Sequence, residues 1–505
     1  MAAIDDLRLR LREIHDLGRA ASLLAWDERT MMPKGGAGPR AETLATLARV
    51  RHEMFTADEI GQLIDQARSE SDSDAPPGES IDADLVRIVA RDWEKARRVP
   101  SELRAELARA SSIAENAWVE AKERSDFGML LPHLERNVEL TRRFAECYEG
   151  FPGFSQTYDA LLDEFEPEMT TEQMRVVLTG LREGLVPMVA EATQNGAGPE
   201  GDPFRGEFPL DVQRELIKGL ISELPFPEDS WRLDPTEHPF ALSIAPTDVR
   251  LTTRYDDDNL SMALFSAMHE SGHGLYEAGV DPELGSTPLS NVRSLGLHES
   301  QSRLWENWVA RGEPWLERHL PTLRQHFPGA FDDIDAESLV RAANRVERSL
   351  IRIEADEVTY NLHILIRFEL ELELFEGGLR LADLPEAWND RYRAYLGIEV
   401  PDDAHGVLQD VHWAGGAFGY FPTYSLGNII AGQLWEAAER DLGDLSGQIA
   451  DGNLASLGEW LRERVHRHGR RLSPAAILER AGCGELSVEP LLKHLRERVE
   501  LAVQA

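Results

Sequence analysis

Cysteine is nearly absent: the 505 residues hold two, Cys147 and Cys483. Two thiols exclude a disulfide framework and any thiolate-rich metal site. Positive charge is scarce as well. Lysine occurs only at 34, 95, 122, 218 and 493, and the 53 basic residues face 90 acidic ones, a formal net charge of −37. A surface this acidic repels phosphate backbones, which excludes nucleic acid and anionic membranes as partners. A salt-tolerant host and GC-rich coding explain the lysine deficit equally well. An apolar membrane span is also missing. Val411–Trp435 runs 25 residues without a charged side chain, but five Gly, Pro422, His412, Asn428 and Gln433 make it unfit to face lipid. It reads instead as an uncharged segment buried beside a functional cleft. The first ten residues are polar and charged, with no apolar signal region, so a cytoplasmic protein is expected.

What is present is core and helix. Hydrophobic residues make up 42%, enough for a large buried interior. Length alone allows two to four domains. Apolar residues recur at three- and four-residue spacing through 8–24, 41–68 and 85–148, and again from Thr170, where Thr-Thr-Glu-Gln offers a cap. Polar breaks at 69–80 and 195–203 read as loops, and 336–375, free of Gly and Pro, predicts one very long helix or two consecutive ones. The last ninety or so residues are again helical. The best strand signal is 240–255, two short β-rich runs that suggest a hairpin. No repeat and no βαβ alternation is visible. The expectation is a mainly α unit over residues 1–505 with a small sheet. Within it, about 1–70 would form a helical N-terminal lid and 71–505 the helices around a groove.

The chemistry concentrates at His269-Glu270-Ser271-Gly272-His273. Apolar spacing across 260–278 makes this a helix, with Asp256–Asn259 at its start and Gly279 as a stop. Residues four apart lie one turn above another, so both imidazoles point the same way and can chelate Zn²⁺. The intervening Glu270 is placed to act as general base on a water at the metal. The plain alternative is an ordinary helix carrying two satisfied histidines. A catalytic metal needs a third ligand, and Glu299 stands on a second helical pattern, 297–309, 26 residues after His273. That spacing leaves room for an antiparallel return that brings the carboxylate over the metal. Co²⁺ or Mn²⁺ fit the same donors.

Further along, 351–356 and 406–413 carry Arg352, Gln409, Asp410 and His412. On its own, Arg352 reads first as a solvated salt bridge, and His412 reads equally as a core histidine beside Trp413. Tyr420 and Tyr424 are either packing aromatics or donors to a developing oxyanion.

At this point the chain resembles the carboxypeptidase Taq-like (M32) metallocarboxypeptidases. The motifs stand in order: His238-Pro239-Phe240, Asp248-Val249-Arg250-Leu251-Thr252, the 269–273 pentad, His298-Glu299-Ser300, the run from Ile351 to Asp356, and the run from Gly406 to Trp413, with Trp26-Asp27-Glu28 near the N-terminus. The resemblance implies a two-lobed helical fold with a deep active-site groove, usually a homodimer. It implies release of single C-terminal amino acids with broad specificity from peptides with a free C-terminus. It makes His269, His273 and Glu299 the ligands of one Zn²⁺ per chain and Glu270 the base. His238, Arg250, Arg352 and Gln409 become substrate-binding candidates, with Arg352 first for the terminal carboxylate and Arg250 near the closed end of the groove. His412 with Tyr420 or Tyr424 become the candidate oxyanion donors. The competing readings are a helical zinc endopeptidase or dipeptidyl carboxypeptidase, and a catalytically silent peptide-binding scaffold.

Overall fold

The computed structural model describes residues 2–70, 75–193, 201–292 and 294–503. The expected loop at 69–80 falls partly outside these residues, and that at 195–203 largely so. Among the described residues, nine α-helices precede the sheet: α1 (Ala3–Thr30), α2 (Ala37–Thr56), α3 (Asp58–Glu70), α4 (Ile81–Arg98), α5 (Ser101–Arg124), α6 (Phe127–Glu146), α7 (Thr157–Leu162), α8 (Thr171–Ala192) and α9 (Leu210–Ser222). The foreseen cap holds: Thr170 accepts the Gln173 amide hydrogen, and the Gln173 side chain accepts from the Thr170 backbone.

The sheet has three strands, β1 (Trp231–Pro235), β2 (Ala241–Ala245) and β3 (Asp248–Thr253), in the order β1-β3-β2. The antiparallel β2–β3 hairpin is the one expected, whereas the parallel pairing of β1 with β3 is not visible in the sequence. Trp231-Arg-Leu-Asp-Pro is too short and too polar to announce a strand. It becomes one because Leu233 aligns with the buried Leu251 of the central strand.

After the sheet come α10 (Leu260–Gly279) and α11 (Leu295–Arg303), the latter continuing into a wider π-helical stretch, Leu304–Ala310. Then follow α12 (Glu313–His326), α13 (Ala336–Ala343), α14 (Glu357–Glu376), α15 (Leu384–Leu396) and α16 (Pro422–Leu442). Four shorter helices, α17 (Leu445–Ala450), α18 (Ala455–Arg464), α19 (Pro474–Arg480) and α20 (Glu489–Val503), complete the chain. The stretch 336–375 holds two consecutive α-helices, as one of the two expectations had it, separated by residues 344–356. Residues 344–356 leave the helical conformation without Gly or Pro because Asn344 and Asp356 cap the ends on either side. The Asn344 side chain donates to the Val340 and Arg311 carbonyls, and Asp356 accepts the Val358 and Thr359 amide hydrogens. Arg352 therefore lies in a short 3₁₀ turn and not in an α-helix.

One large apolar cluster runs from Val99 to Val499. A second, smaller one joins α1, α3 and α4 to Val280, Leu284 and Leu289. Helix α10 starts where Asn259 accepts the Ser261 amide hydrogen, and it ends at Gly279, so the stop is Val280 and not the glycine. Helix α11 lies between α10 and α16. A Cβ on Gly272 would lie 2.6 Å from the Cα of Ser302, and one on Gly427 would lie 2.6 Å from Cγ of Glu299. Gly272 requires hydrogen as the side chain because the neighbouring backbone cannot give way, and at Gly427 a side chain would displace Glu299. Gly272→Ala is expected to force α10 and α11 apart, at about 1–3 kcal/mol of stability, and to weaken metal binding. Thermal unfolding of the metal-free protein and a chelator competition check this; a variant unchanged in both contradicts it.

Candidate active site

Helix α10 presents His269 and His273, and α11 presents Glu299, whose Oε2 lies 3.7 Å from His269 Nε2 and 3.5 Å from His273 Nε2. The three ligand atoms fall within 4.8 Å of one another, the one such cluster among the described residues. Their chemistry fits a metal ion. His273 Nδ1 donates to the His298 carbonyl at 3.1 Å, an acceptor only, so its Nε2 carries the free lone pair. His269 Nδ1 is 2.9 Å from Glu306 Oε2, the carboxylate–histidine pairing that orients a metal ligand.

Glu299, Arg303 and Glu306 form one stripe along α11 and its π extension. Arg303 Nε donates to Glu299 Oε1 at 2.7 Å, and Arg311 reaches Glu306 Oε1 at 3.1 Å. Burial would push the Glu299 carboxyl up, but Arg303, His269 and His273 outweigh it and hold it well below the usual range. Glu306 is likewise brought down to about 2, by His269 and Arg311 against its burial. His273 is pushed down to about 3 by burial and by His298, whose ring stacks on it at 4.3 Å, so it is neutral and ready to ligate. Glu270 moves the other way. Burial pushes it up to about 7; His269 opposes this and the Glu299 and Glu306 charges add to it.

A second cluster surrounds Asp410. Arg352 approaches its Oδ1 through Nε at 3.0 Å and a terminal nitrogen at 2.8 Å, and Arg367, wholly buried, donates through Nε to its Oδ2 at 2.7 Å. Gln409 is spent on structure: its Oε1 accepts from the Arg352 amide and from Arg367, and its Nε2 donates to the Leu350 and His405 carbonyls. Tyr360 joins the two clusters. Its hydroxyl lies 3.1 Å from Arg352, while the Arg303 guanidinium sits 4.7 Å from its ring centre. His412, Tyr420 and Tyr424 gather beside this junction. The His412 and Tyr420 rings are 5.4 Å apart, and the Arg352 guanidinium is 5.3 Å from the Tyr424 ring.

His238 and Arg250 find their neighbours elsewhere. His238 is exposed in the loop between β1 and β2. Arg250 is paired in two bonds with Asp248 and lies 4.6 Å from the ring centre of Trp26 in α1. Sequence reasoning missed Arg303, Glu306, Arg311, Tyr360 and Arg367. Two signals pointed to some of them. Glu299, Arg303 and Glu306 follow helical spacing, and Arg367 interrupts an apolar run that leaves it no solvent-facing side.

The description of the carboxypeptidase Taq (M32) metallopeptidases matches residues 6–499. The chain belongs to this family. It is 42% identical over 503 residues to thermostable carboxypeptidase 1 of Thermus thermophilus, covering 98% of each chain. It is 38% identical over 488 residues to carboxypeptidase 1 of Bacillus subtilis, covering 97% of this chain and 96% of that one. The crystal structure of the M32 carboxypeptidase of Deinococcus radiodurans superposes with a TM-score of 0.95 at 38% identity, covering both chains completely. This is a metal-dependent carboxypeptidase of the M32 family, with His269, His273 and Glu299 as its candidate metal site. No helix among the described residues is long and apolar enough to cross a membrane.

Two outcomes follow for this M32 site. Glu306→Gln weakens the hold on His269 and is expected to lower metal affinity about 10–100-fold, measured by chelator competition. In the metal-free protein, Glu270 keeps a proton that the unfolded chain releases near 4.5. The folded state thus binds more protons between about pH 4.5 and 7, and stability falls as pH rises through that window. Glu270→Gln should flatten this slope in denaturant unfolding; an unaltered slope contradicts the assignment.

Proposed function

We propose that this carboxypeptidase uses one Zn²⁺ to release single amino acids, with broad specificity, from peptides with a free C-terminus. The observation that carries the reading is the charge balance at Arg352. Two guanidiniums, Arg352 and Arg367, share the one carboxylate of Asp410, which leaves a net positive charge. Arg352 has five N–H groups, of which Asp410 and Tyr360 engage three. Two remain to grip a carboxylate, at a point that Tyr360 links to the arginine holding Glu299.

When bound, Zn²⁺ supplies Lewis-acid polarisation of the scissile carbonyl and lowers the pKa of water. Glu270, pushed up to about 7 by burial, is matched to take a proton from the attacking water at neutral pH and return it to the leaving amine. His412 is pushed down to about 4 by burial, so it stays neutral and donates a single N–H. Burial keeps the phenols of Tyr420 and Tyr424 protonated, and with His412 they serve the oxyanion. Gln409 acts by holding the two arginine-bearing segments together. Helices α1 to α3 act as the lid, with Trp26 seated on Arg250; that guanidinium and His238 belong to the far end of the groove.

Mass spectrometry of a peptide digest, with and without a chelator, tests the reading. A ladder losing one C-terminal residue at a time, abolished by the chelator, is expected; internal fragments or dipeptides contradict it. Glu270→Gln should keep its metal and lose about 10²–10⁴-fold in kcat. Arg352→Ala should lose the preference for free over amidated C-termini, and an intact preference rejects its role.

A further inference from the structure

Glu371 lies wholly buried on α14, and its three hydrogen-bond donors are all neutral. An apolar side chain would fill that place without the desolvation that burial imposes on a carboxyl. Its bonds indicate why a carboxyl is there. Trp413 Nε1 donates to Oε1 at 2.7 Å, and the Gly419 amide donates to Oε2 at 2.8 Å. Trp413 directly follows His412, and Gly419 directly precedes Tyr420. One carboxyl therefore ties both ends of the irregular turn between the two candidate oxyanion donors, whose rings stand 5.4 Å apart. The third donor, the Tyr158 hydroxyl at 2.6 Å, comes from α7. Asn137 of α6 holds the same turn from another side, donating to the Trp413 and Ala414 carbonyls.

We infer that Glu371 is a positioning residue for peptide hydrolysis, setting His412 and Tyr420 against each other and toward the reacting carbonyl. The inference rests on the assignment of His412 and Tyr420 as oxyanion donors. Glu371 touches neither ring. It acts through the backbone beside each, and a misplacement of about 1 Å there is worth on the order of 10²-fold in rate.

The test is a mutant cycle on the zinc-loaded enzyme. Glu371→Gln keeps the shape but turns one acceptor into a donor facing a donor. Its kcat should fall at least about 10-fold with KM within about twofold, and its zinc content should be unchanged. Combined with His412→Ala and Tyr420→Phe, the same change should cost no further kcat, because the groups it positions are gone. Should Glu371→Gln not fold, Trp413→Phe removes one of the two ties with the carboxyl in place and enters the same cycle. A loss of thermal stability with kcat unchanged, or a kcat effect that persists undiminished in the triple variant, overturns the inference and leaves the oxyanion assignment standing. If His412→Ala with Tyr420→Phe itself leaves kcat intact, the assignment falls first and the inference with it.

Discussion

The close approach of three helices governs this molecule. Helices α10 and α16 press on α11 from two sides, at Gly272 and Gly427, with room for a hydrogen and nothing larger. A metal site built from two imidazoles on one helix and a carboxylate on another tolerates errors of a few tenths of an ångström. At Gly272 the contact is with backbone, which has no rotamers to lose, and at Gly427 it confines the Glu299 side chain itself. The two glycines thus serve the chemistry through packing: one lies inside the metal-binding pentad, and the other lies in the uncharged segment that also carries Tyr420 and Tyr424.

Charge is then layered around the fixed point. His269 leans on Glu306 and Glu299 on Arg303, and Arg311 closes the row. Each charge in this row has an opposite neighbour, which lets ionised groups persist away from water. Beside it the balance tips toward positive charge, where Arg352 and Arg367 share Asp410. A protein of net charge −37 repels an anionic peptide end at long range, so the attraction has to be local. In the proposed reading the arginine surplus supplies it, linked to Glu299 through Tyr360 and Arg303.

Much of this was legible in the sequence, and the residues that were not share a physical cause. His269, Glu270, His273 and Glu299 could be read because their chemistry requires a spacing that helices impose. The hairpin of β2 and β3 announced itself by β-branched residues, whereas β1 is a strand only because β3 pairs with it. Glu306 and Arg367 showed in the sequence only by position, and Glu371 not at all. Periodicity reports which face a residue occupies but not which distant partner meets it, and each of these acts through a partner at least 37 positions away. The interruption at 344–356 was missed for a related reason. Asn344 ends one helix and Asp356 starts the next by capping, and an absence of Gly and Pro says nothing about caps. Gln409 stood in the right motif, and its bonds reveal a brace between segments.

If helix packing forms the site, it must exist before the metal arrives. Backbone amide exchange in the metal-free protein measures this directly. Amides of 260–279 and 295–303 are expected to exchange as slowly as the rest of the large core, with zinc adding protection without creating it. Fast exchange in α10 and α11 that becomes slow only when zinc is added would contradict the account, because the metal and not the packing would then assemble the site.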